Sequence, residues 1–462
     1  MPISKARLYK DQVLEVEPTG IETVTQGQRH GKPWHLFSVW FSANAEIATW
    51  MVGLAIVAFY GTDLRSAAIG IVLGNLAGFA VLGILATLGP RYGVPQMVAG
   101  RLAFGRYGNV APAALSFLAG VGWFAINTVF GAYALQTIAG LPYMVALAIM
   151  LVLQIALAVY GYNLIHLFER ASVVLLALGF FALAIVTFSR AQWLAPFNAH
   201  APAAAGGPLA GFIFGAALAF SYALGWVPCA SDYSRYLPSA TNPRAVWWYS
   251  FIGCALPCIV LEIMGAAAVT AVRGVDFTTA LPTQAVSVLL GAGWVAKLVL
   301  LAVVLGTLTA NCMNLYSGAL AALVAFNVRT KRAIAALVVG VIGAVLATLG
   351  GHWQQMAVFY TNFLLLLSYW ASPWAGVVLV DWWMRHDAPA DPQKPQRWRP
   401  GIVAWIVGLL ASAPFWNQAW LAGPIARAYP QLGDLSYYVG FLTAAAAMAV
   451  LLRFDACVVA TE

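Results

Sequence analysis

In the stretch Trp40-Phe-Ser-Ala-Asn-Ala-Glu-Ile-Ala-Thr-Trp50, polar side chains interrupt an otherwise apolar segment. The interrupting residues are Ser42, Asn44, Glu46 and Thr49. Polar and ionisable groups inside a bilayer are costly unless they have partners, and they mark ion or substrate pathways more often than packing positions. The stretch therefore predicts a membrane-spanning helix that is interrupted near its middle at a functional site.

A second interrupted segment lies on the fifth apolar run after the first one. It reads Ser221-Tyr-Ala-Leu-Gly-Trp-Val-Pro-Cys-Ala-Ser-Asp232 and carries both Gly225 and Pro228. Glycine loosens a helix, and proline removes a backbone donor and clashes with the preceding turn. Interrupted helices in corresponding positions of two halves indicate a secondary transporter, because the freed backbone groups can hold an ion and a substrate. Packing is the alternative reading, since many membrane helices carry Gly and Pro.

The composition agrees with a membrane protein. Hydrophobic residues make up 62% of the 462 residues, charged residues only 9%, and the mean hydropathy is +0.81. A soluble globular domain has about 25% charged residues, so the chain is predicted to be an all-α polytopic membrane protein. The five cysteines show no CxxC or Cys/His spacing, so we expect neither a metal site nor disulfides.

Twelve apolar runs approach the ~20 residues that a transmembrane helix needs. They are residues 35–60, 64–89, 109–136, 142–161, 166–189, 209–230, 246–272, 292–326, 331–349, 355–382, 401–420 and 436–453. The first run follows a polar arm and is long enough to span and stay, so we expect no cleaved signal. The interrupted segments lie on spans one and six.

The basic residues predict the orientation. If the N-terminus is inside, 19 of the 24 Lys and Arg residues fall on the cytoplasmic side. Arg65, Arg190, Arg273 and Arg427 fall on the other side, and Lys297 lies near a span end. We therefore expect both termini in the cytoplasm, and the net charge of +8 reflects topology and anionic lipid, with no role for nucleic acid.

A series of short motifs, in order and on the expected spans, resembles the purine–cytosine permeases of the nucleobase:cation symporters. The motifs are Gly20-Ile-Glu22, Val39 to Asn44, Gly89-Pro-Arg-Tyr-Gly, Arg101 to Gly105, Gly122-Trp-Phe-Ala-Ile-Asn127-Thr, Gly225-Trp226, Ala230 to Pro238, and Asn311-Cys-Met-Asn314-Leu-Tyr316-Ser317. The chain is more similar to the fungal-type and related bacterial members than to the hydantoin transporter.

The resemblance implies a leucine-transporter-type fold. Its parts would be a cytoplasmic arm (1–34), two inverted five-helix repeats (35–189 and 209–382), two additional helices (401–453) and a cytoplasmic tail (454–462). It also implies one substrate site near the bilayer midplane and uptake driven by sodium or protons, in a bacterial inner membrane. We expect no obligatory protein partner and no cofactor, apart from a bound ion if sodium drives uptake.

The predicted substrate site suits a flat ring whose edge alternates donors and acceptors. Aromatic planes for stacking are offered by Trp123 and by Trp226 or Tyr222, and amides for the edge by Asn127, Asn311 and Asn314. The alternatives are aromatic side chains that only pack, and asparagines that only form interhelical hydrogen bonds. The sequence does not decide which base is carried, because a rotatable amide accommodates an amino or an oxo group.

Glu46 is the most informative single residue. An ionised carboxylate near the midplane is expensive, so it should be protonated, paired or satisfied by ligand donors. By the resemblance it takes the position of a substrate-facing glutamine in the hydantoin transporter. It would therefore read N–H groups of a base or carry the coupling proton, and helix capping is the alternative. Glu262 is a second intramembrane carboxylate, for which we favour structural pairing.

The resemblance also implies a cation site between spans one and eight. In this chain it maps to the carbonyls of Ser42, Ala45 and Gly306 and to Thr309, while the neighbouring hydroxyl position is Ala310. Sodium prefers several oxygen ligands, and one hydroxyl is lost here. With Glu46 close by, we favour proton coupling over sodium coupling.

Other classes of function fit less well. A membrane enzyme would need a nucleophile with its base or a metal cluster, and the six histidines lack HExxH or GxSxG context. A channel would need a repeated filter, and an amino-acid symporter would need a carboxylate and amine site. A non-transporting sensor on the same fold stays open. Among transporters, the runner-up substrates are allantoin, hydantoin, uracil or a vitamin ring.

Asp232, Arg235 and Tyr236 suggest an inside gate or helix-end charge pairing.

Overall fold

The structure is a computed structural model that describes residues 14–272, 275–278, 280, 282–291, 293–328, 330–350, 356–385, 390–418 and 421–459. Across these residues the regular structure is helical, apart from one isolated β-bridge between Asn417 and Ala422. Residues 1–13 of the predicted arm and 460–462 of the predicted tail lie outside the described residues.

The α-helices are numbered α1 to α18 in chain order. Their bounds are α1 His35–Asn44, α2 Ile47–Ala58, α3 Leu64–Ala86, α4 Leu88–Tyr92, α5 Gln96–Ala99, α6 Arg101–Gly108, α7 Val110–Ala139, α8 Tyr143–Tyr160, α9 Tyr162–Arg190, α10 Gly207–Trp226, α11 Pro243–Ala271, α12 Pro282–Leu290, α13 Trp294–Ala325, α14 Arg332–Gly350, α15 Met356–Arg385, α16 Gly401–Ser412, α17 Pro424–Ala428 and α18 Ser436–Val459.

Most predicted spans are confirmed as helices. In the described part of the chain, ten helices are long and apolar enough to cross a membrane, and eleven if the bent pair α1–α2 counts as one span. Helices dominate because every backbone polar group in a bilayer must be satisfied within the chain. The run predicted at 401–420 forms a shorter helix, Gly401–Phe415, and residues 419–420 are outside the described residues. The count of twelve spans therefore stays a prediction.

The predicted interruption of span one is confirmed. α1 and α2 meet at Ala45–Glu46 with a bend of 53°. Span six differs from the prediction. α10 ends at Trp226, a 3-10 turn covers Val227–Cys229, and only turns follow up to Tyr236. Proline has no N–H to continue the helical ladder, so Pro228 stops the helix at the expected place, but no α-helix resumes before α11 within the described residues.

Small residues allow the spans around the break to pack closely. α2 and α11 cross so tightly that a Cβ on Gly53 would lie 1.6 Å from the Glu262 carbonyl oxygen. A Cβ on Gly265 would lie 1.9 Å from the Trp50 carbonyl oxygen. Such small-residue contacts are typical of transmembrane helix pairs. α1 and α2 pack against α11, and α10 packs along α3, so the two interrupted spans lie inside the bundle.

The connection between spans two and three is more structured than the sequence suggested. α4, α5 and α6 fill it with short helices. α5 contacts the turns that follow α10, where the Gln96 N–H donates to the Asp232 carboxylate at 2.8 Å. The end of α3 contacts the same turns, where the Ser234 hydroxyl donates to the Ala86 carbonyl at 2.7 Å. The end of span six is thereby held by another part of the chain.

The N-terminal arm docks at one end of the bundle, which we call the arm end. Backbone hydrogen bonds join Glu17 N to Tyr160 O at 3.0 Å and Val24 N to Gly93 O at 2.8 Å. The Glu17 carboxylate is buried there and pairs with Arg235 at 2.6 Å and Arg332 at 3.0 Å. The predicted charge pairing of Arg235 is thus made with the arm.

Candidate functional site

The break between α1 and α2 is built by local polar side chains. Ala45 has φ −80° and ψ 65°, and Glu46 has φ −137° and ψ 167°, so neither residue is helical. The Asn44 amide donates to the Trp40 carbonyl at 2.8 Å, and the Thr49 hydroxyl donates to the Asn44 carbonyl at 2.6 Å. Such side chains replace helix hydrogen bonds at the break, which explains why the polar residues of this span lie together.

The residues predicted to hold a cation are brought together. The Thr309 hydroxyl lies 2.8 Å from both the Ser42 carbonyl oxygen and the Gly306 carbonyl oxygen. The Ala45 carbonyl faces α13 so closely that a Cβ on Gly306 would lie 2.5 Å from its oxygen. Since one hydroxyl proton can serve only one of the two carbonyls, the contacts leave an oxygen-rich point between α1 and α13. The side chain of Ala310 adds no oxygen to it.

The Glu46 carboxyl lies at the start of α2 and is only 1% exposed. One oxygen accepts a hydrogen bond from the Tyr222 hydroxyl at 3.2 Å, and that hydroxyl also lies 2.7 Å from Thr49 Oγ1. Its second oxygen has no hydrogen-bond partner in the described part of the chain. Asn127 on α7 is close enough to interact with this carboxyl, yet neither of its amide atoms reaches hydrogen-bond geometry with any residue that the structure describes. Unpartnered buried polar atoms are uncommon, and here they cluster.

Aromatic rings enclose this cluster. Trp123 meets Tyr222 edge to face with the ring centroids 5.7 Å apart, and Tyr360 with the centroids 5.9 Å apart. Trp226 lines a cavity of about 30 Å³ together with Trp123 and Asn314. A volume near 30 Å³ suits about one water molecule, so a ring ligand requires these side chains to move apart.

The two asparagines of span eight are engaged with the protein. The Asn311 amide donates to the Phe124 carbonyl at 2.9 Å and to the Thr128 hydroxyl at 3.1 Å. The Asn311 side-chain oxygen accepts from Asn314 at 3.2 Å. This is the interhelical arrangement that was the alternative to substrate binding, and a role of Asn311 towards substrate stays a prediction.

Glu169 was not predicted from the sequence. It is fully buried on α9, its backbone carbonyl accepts from the Ser42 hydroxyl at 2.8 Å, and one carboxyl oxygen lies 3.5 Å from Cys312 Sγ. The other carboxyl oxygen has no hydrogen-bond partner. The signal available was a carboxylate at the edge of an apolar run, the same signal that pointed to Glu46 and Glu262.

Glu262 accepts a hydrogen bond from the Asn75 amide at 2.7 Å. The bond links α11 to α3, as the structural pairing that we favoured requires. The second carboxyl oxygen of Glu262 has no hydrogen-bond partner.

Comparisons with known proteins agree with this architecture. Residues 23–440 match the family described as "Permease for cytosine/purines, uracil, thiamine, allantoin". The "Putative purine-cytosine permease YxlA" of Bacillus subtilis is 29% identical over 457 residues, 95% of this chain and 96% of that protein. The purine-cytosine permease fcyB of Emericella nidulans is 26% identical over 464 residues, 96% of this chain and 89% of that protein.

Among solved structures, the chain is similar to Mhp1, a nucleobase-cation-symport-1 family transporter, in a closed conformation with bromovinylhydantoin bound. The TM-score is 0.73 at 18% identity, with 96% of each chain covered, which shows the shared fold. The chain is a multi-pass membrane transporter and not an enzyme. It belongs to the family of permeases for cytosine/purines, uracil, thiamine and allantoin.

Proposed function

We propose that the protein imports a nucleobase, cytosine or a purine, by cation symport, with the proton favoured as the coupling cation. The observation that carries the substrate class is the set of unpartnered polar atoms beside Trp123. They are one carboxyl oxygen of Glu46 and both amide atoms of Asn127. A base edge supplies donors and acceptors that would satisfy them, and its π-face suits the surrounding rings.

The remaining predicted residues take supporting places around this core. Trp123 and Trp226 would stack on the ring, Asn314 would face its rim, and Tyr222 would hold the Glu46 carboxyl in place. Asn311 would act through Asn314, since its own amide donates to α7. Allantoin, hydantoin, uracil and a vitamin ring are the runner-up substrates, and the competition experiment below separates them.

The choice of cation rests on two features of the break. Glu46 has no basic partner among the described residues, so a proton is the simplest ion for it to exchange. Sodium coupling is the alternative, supported by the oxygen atoms of Ser42, Gly306 and Thr309 that meet within 2.8 Å contacts. The alanine at position 310 weakens the sodium alternative, because hard cations prefer several oxygen ligands.

We also propose the orientation and repeat organisation implied by the sequence. The excess of Lys and Arg supports a cytoplasmic position of the arm end at the cell membrane, which would be the inner membrane of a bacterium. Residues 35–189 and 209–382 would form the two inverted repeats, and 401–453 the two additional helices. The tight α2–α11 and α7–α13 packing supports a transporter core built by spans from both halves.

Uptake of radiolabelled cytosine tests the proposal, with adenine, guanine, hypoxanthine, uracil and allantoin as unlabelled competitors. We expect competition by purines, loss of uptake with a protonophore, and no change when sodium is replaced. Glu46→Gln should lose proton-driven uptake, whereas the exposed control Glu15→Gln should behave as wild type. No cytosine uptake and no purine competition, from protein shown to be folded in the membrane, would overturn the substrate class.

Gly306→Ala tests the cation site separately. Its Cβ would lie 2.5 Å from the Ala45 carbonyl oxygen and would push the break away from α13. We expect a weaker dependence of uptake on the driving cation. Gly293→Ala, at the residue just before α13, is the matched control, because a Cβ there meets nothing within 4 Å. Equal cation dependence in both variants would remove Gly306 from the site.

A further inference from the structure

A polar cavity of about 520 Å³ lies at the arm end, away from the substrate site. It is bounded by α6, by the connection between α13 and α14, and by arm residues 18–22. Four basic side chains line it, and Glu22 is the acidic side chain among its described lining residues. The basic residues are Arg101, Arg106, Lys331 and Arg332. We call it the arginine cavity.

Most of the cavity's basic groups lack an anionic partner among the residues that the structure describes. Arg332 pairs with Glu17 at 3.0 Å. Arg106 donates only to the neutral side-chain oxygen of Asn327 at 3.2 Å, and Lys331 is in none of the ion pairs among the described residues. The Glu22 carboxylate instead accepts from the Gly20 N–H at 2.8 Å. Among the described residues, no further anion pairs with the excess positive charge of the cavity.

Arg101 is the basic residue of the cavity whose surroundings are least favourable to its charge. Its residue is 7% exposed, and its buried Nε has no hydrogen-bond partner. Burial, and secondly the nearby Arg106 cation, lower the pKa of Arg101. A buried guanidinium next to a like charge is costly, and natural sites of this kind are occupied by carboxylate or phosphate.

We propose that the arginine cavity binds a phosphate group, carried by an anionic lipid headgroup or by a soluble phosphate. Arginine presents a planar fork that matches two phosphate oxygens, and basic pockets between transmembrane helices hold anionic headgroups. Large apolar side chains beside the cavity face outward, with Phe326 60% exposed and Val328 47% exposed. They would accommodate the acyl chains of a lipid.

The site also has a structural consequence. It joins the arm, α6 and the start of α14, three segments that are far apart in sequence. α6 breaks at Gly105, where φ is +74°, and the next backbone N–H groups donate to the loop at 396–397, with Arg106 N 2.8 Å from Gln396 O. A phosphate bound between these segments would hold the arm end together without taking part in substrate binding.

Titration calorimetry on the purified full chain in detergent tests the proposal. The probes are short-chain phosphatidylglycerol, short-chain phosphatidylcholine and inorganic phosphate. We expect Arg101→Gln to weaken phosphatidylglycerol binding about tenfold, the loss of one charge-assisted contact. Arg244→Gln, an exposed arginine at the start of α11, is the matched control and should bind as wild type.

Each outcome decides between sources or against the site. Phosphatidylglycerol binding that phosphate does not displace assigns the site to a lipid, and binding of inorganic phosphate with loss in Arg101→Gln assigns it to a soluble phosphate. No binding of either probe, or equal loss in the Arg101 and Arg244 variants, overturns the proposal. If Arg101→Gln does not fold, the exposed Arg106→Gln gives the same comparison. Transport is not measured, so the result is independent of the substrate.

Discussion

Glu17 and Glu46 are both buried glutamates, and their surroundings are opposite. At the arm end, Glu17 contacts two arginines and accepts hydrogen bonds from Tyr236 at 2.7 Å and Tyr316 at 3.0 Å. At the α1–α2 break, Glu46 accepts one hydrogen bond and has a free oxygen. A buried polar group without a partner is costly. The difference therefore fits a cluster that stabilises the fold at Glu17 and, as we propose, a ligand site at Glu46.

The same difference appears in the amides. Asn311 uses both ends of its side chain in contacts with α7 and Asn314, whereas Asn127 uses neither. Because they lie on helices that pack against each other, their environments are similar in depth. Asn311 and Asn127 differ in whether the protein supplies hydrogen-bond partners to the side-chain amide. Mutation of each residue tests this difference.

The largest expected effect is on the arm end. Glu17→Ala leaves Arg235 and Arg332 without their shared counter-ion, so the folded protein should lose about 3 kcal/mol, or the arm should detach to let water reach the arginines. A lower melting temperature of the purified protein, with faster proteolysis of the arm, is the measurement that checks this.

Glu15→Ala is its control, because Glu15 is exposed two residues away. If the Glu17 and Glu15 variants melt at the same temperature and the arm is equally protected, the arm-end cluster does not stabilise the fold. The contrast between a stabilising Glu17 cluster and the Glu46 cluster would then not hold.

The next effect concerns the amide pair. Asn311→Ala should destabilise the protein by about 1 kcal/mol, because interhelical hydrogen bonds to α7 are lost. Asn127→Ala should leave the melting temperature unchanged and weaken substrate affinity by about tenfold. Thermal unfolding and concentration-dependent cytosine uptake measure the two effects on the same preparations.

A reversed result is informative. Loss of stability in Asn127→Ala would mean that its amide has a structural partner, for example Glu46. Unchanged affinity in that variant would separate the free amide from the substrate and would leave Trp123 and Asn314 as the remaining contacts to test.

The sequence was sufficient for the spans and for the break, because both depend on local patterns. Long apolar runs predict helices whatever surrounds them. The polar residues Asn44, Glu46 and Thr49 predict the interruption of span one. The partner of Arg235 could not be predicted. Its contact with Glu17 joins residues 218 positions apart, and no periodicity encodes such a pairing. The same holds for Asn311, whose type suggested a ligand contact but whose neighbours on α7 supply its hydrogen bonds.

The smallest expected effect concerns Asp232 at the arm end. Its titration tests whether the buried charges there are paired at every pH. Burial raises the pKa of this carboxyl to about 7 from its ordinary value of 3.8, although Ser317, the Gln96 N–H and Arg235 act in the opposite direction. The folded protein thus holds a proton that the unfolded chain releases, so Asp232 lowers stability as pH rises from about 4 to 7.

Asp232→Asn removes this titration and keeps an oxygen for Gln96. As pH falls from 8 to 5, the wild type should gain on the order of 2 °C in melting temperature relative to the variant. A constant difference between the two proteins across this range would show that Asp232 is compensated like Glu17.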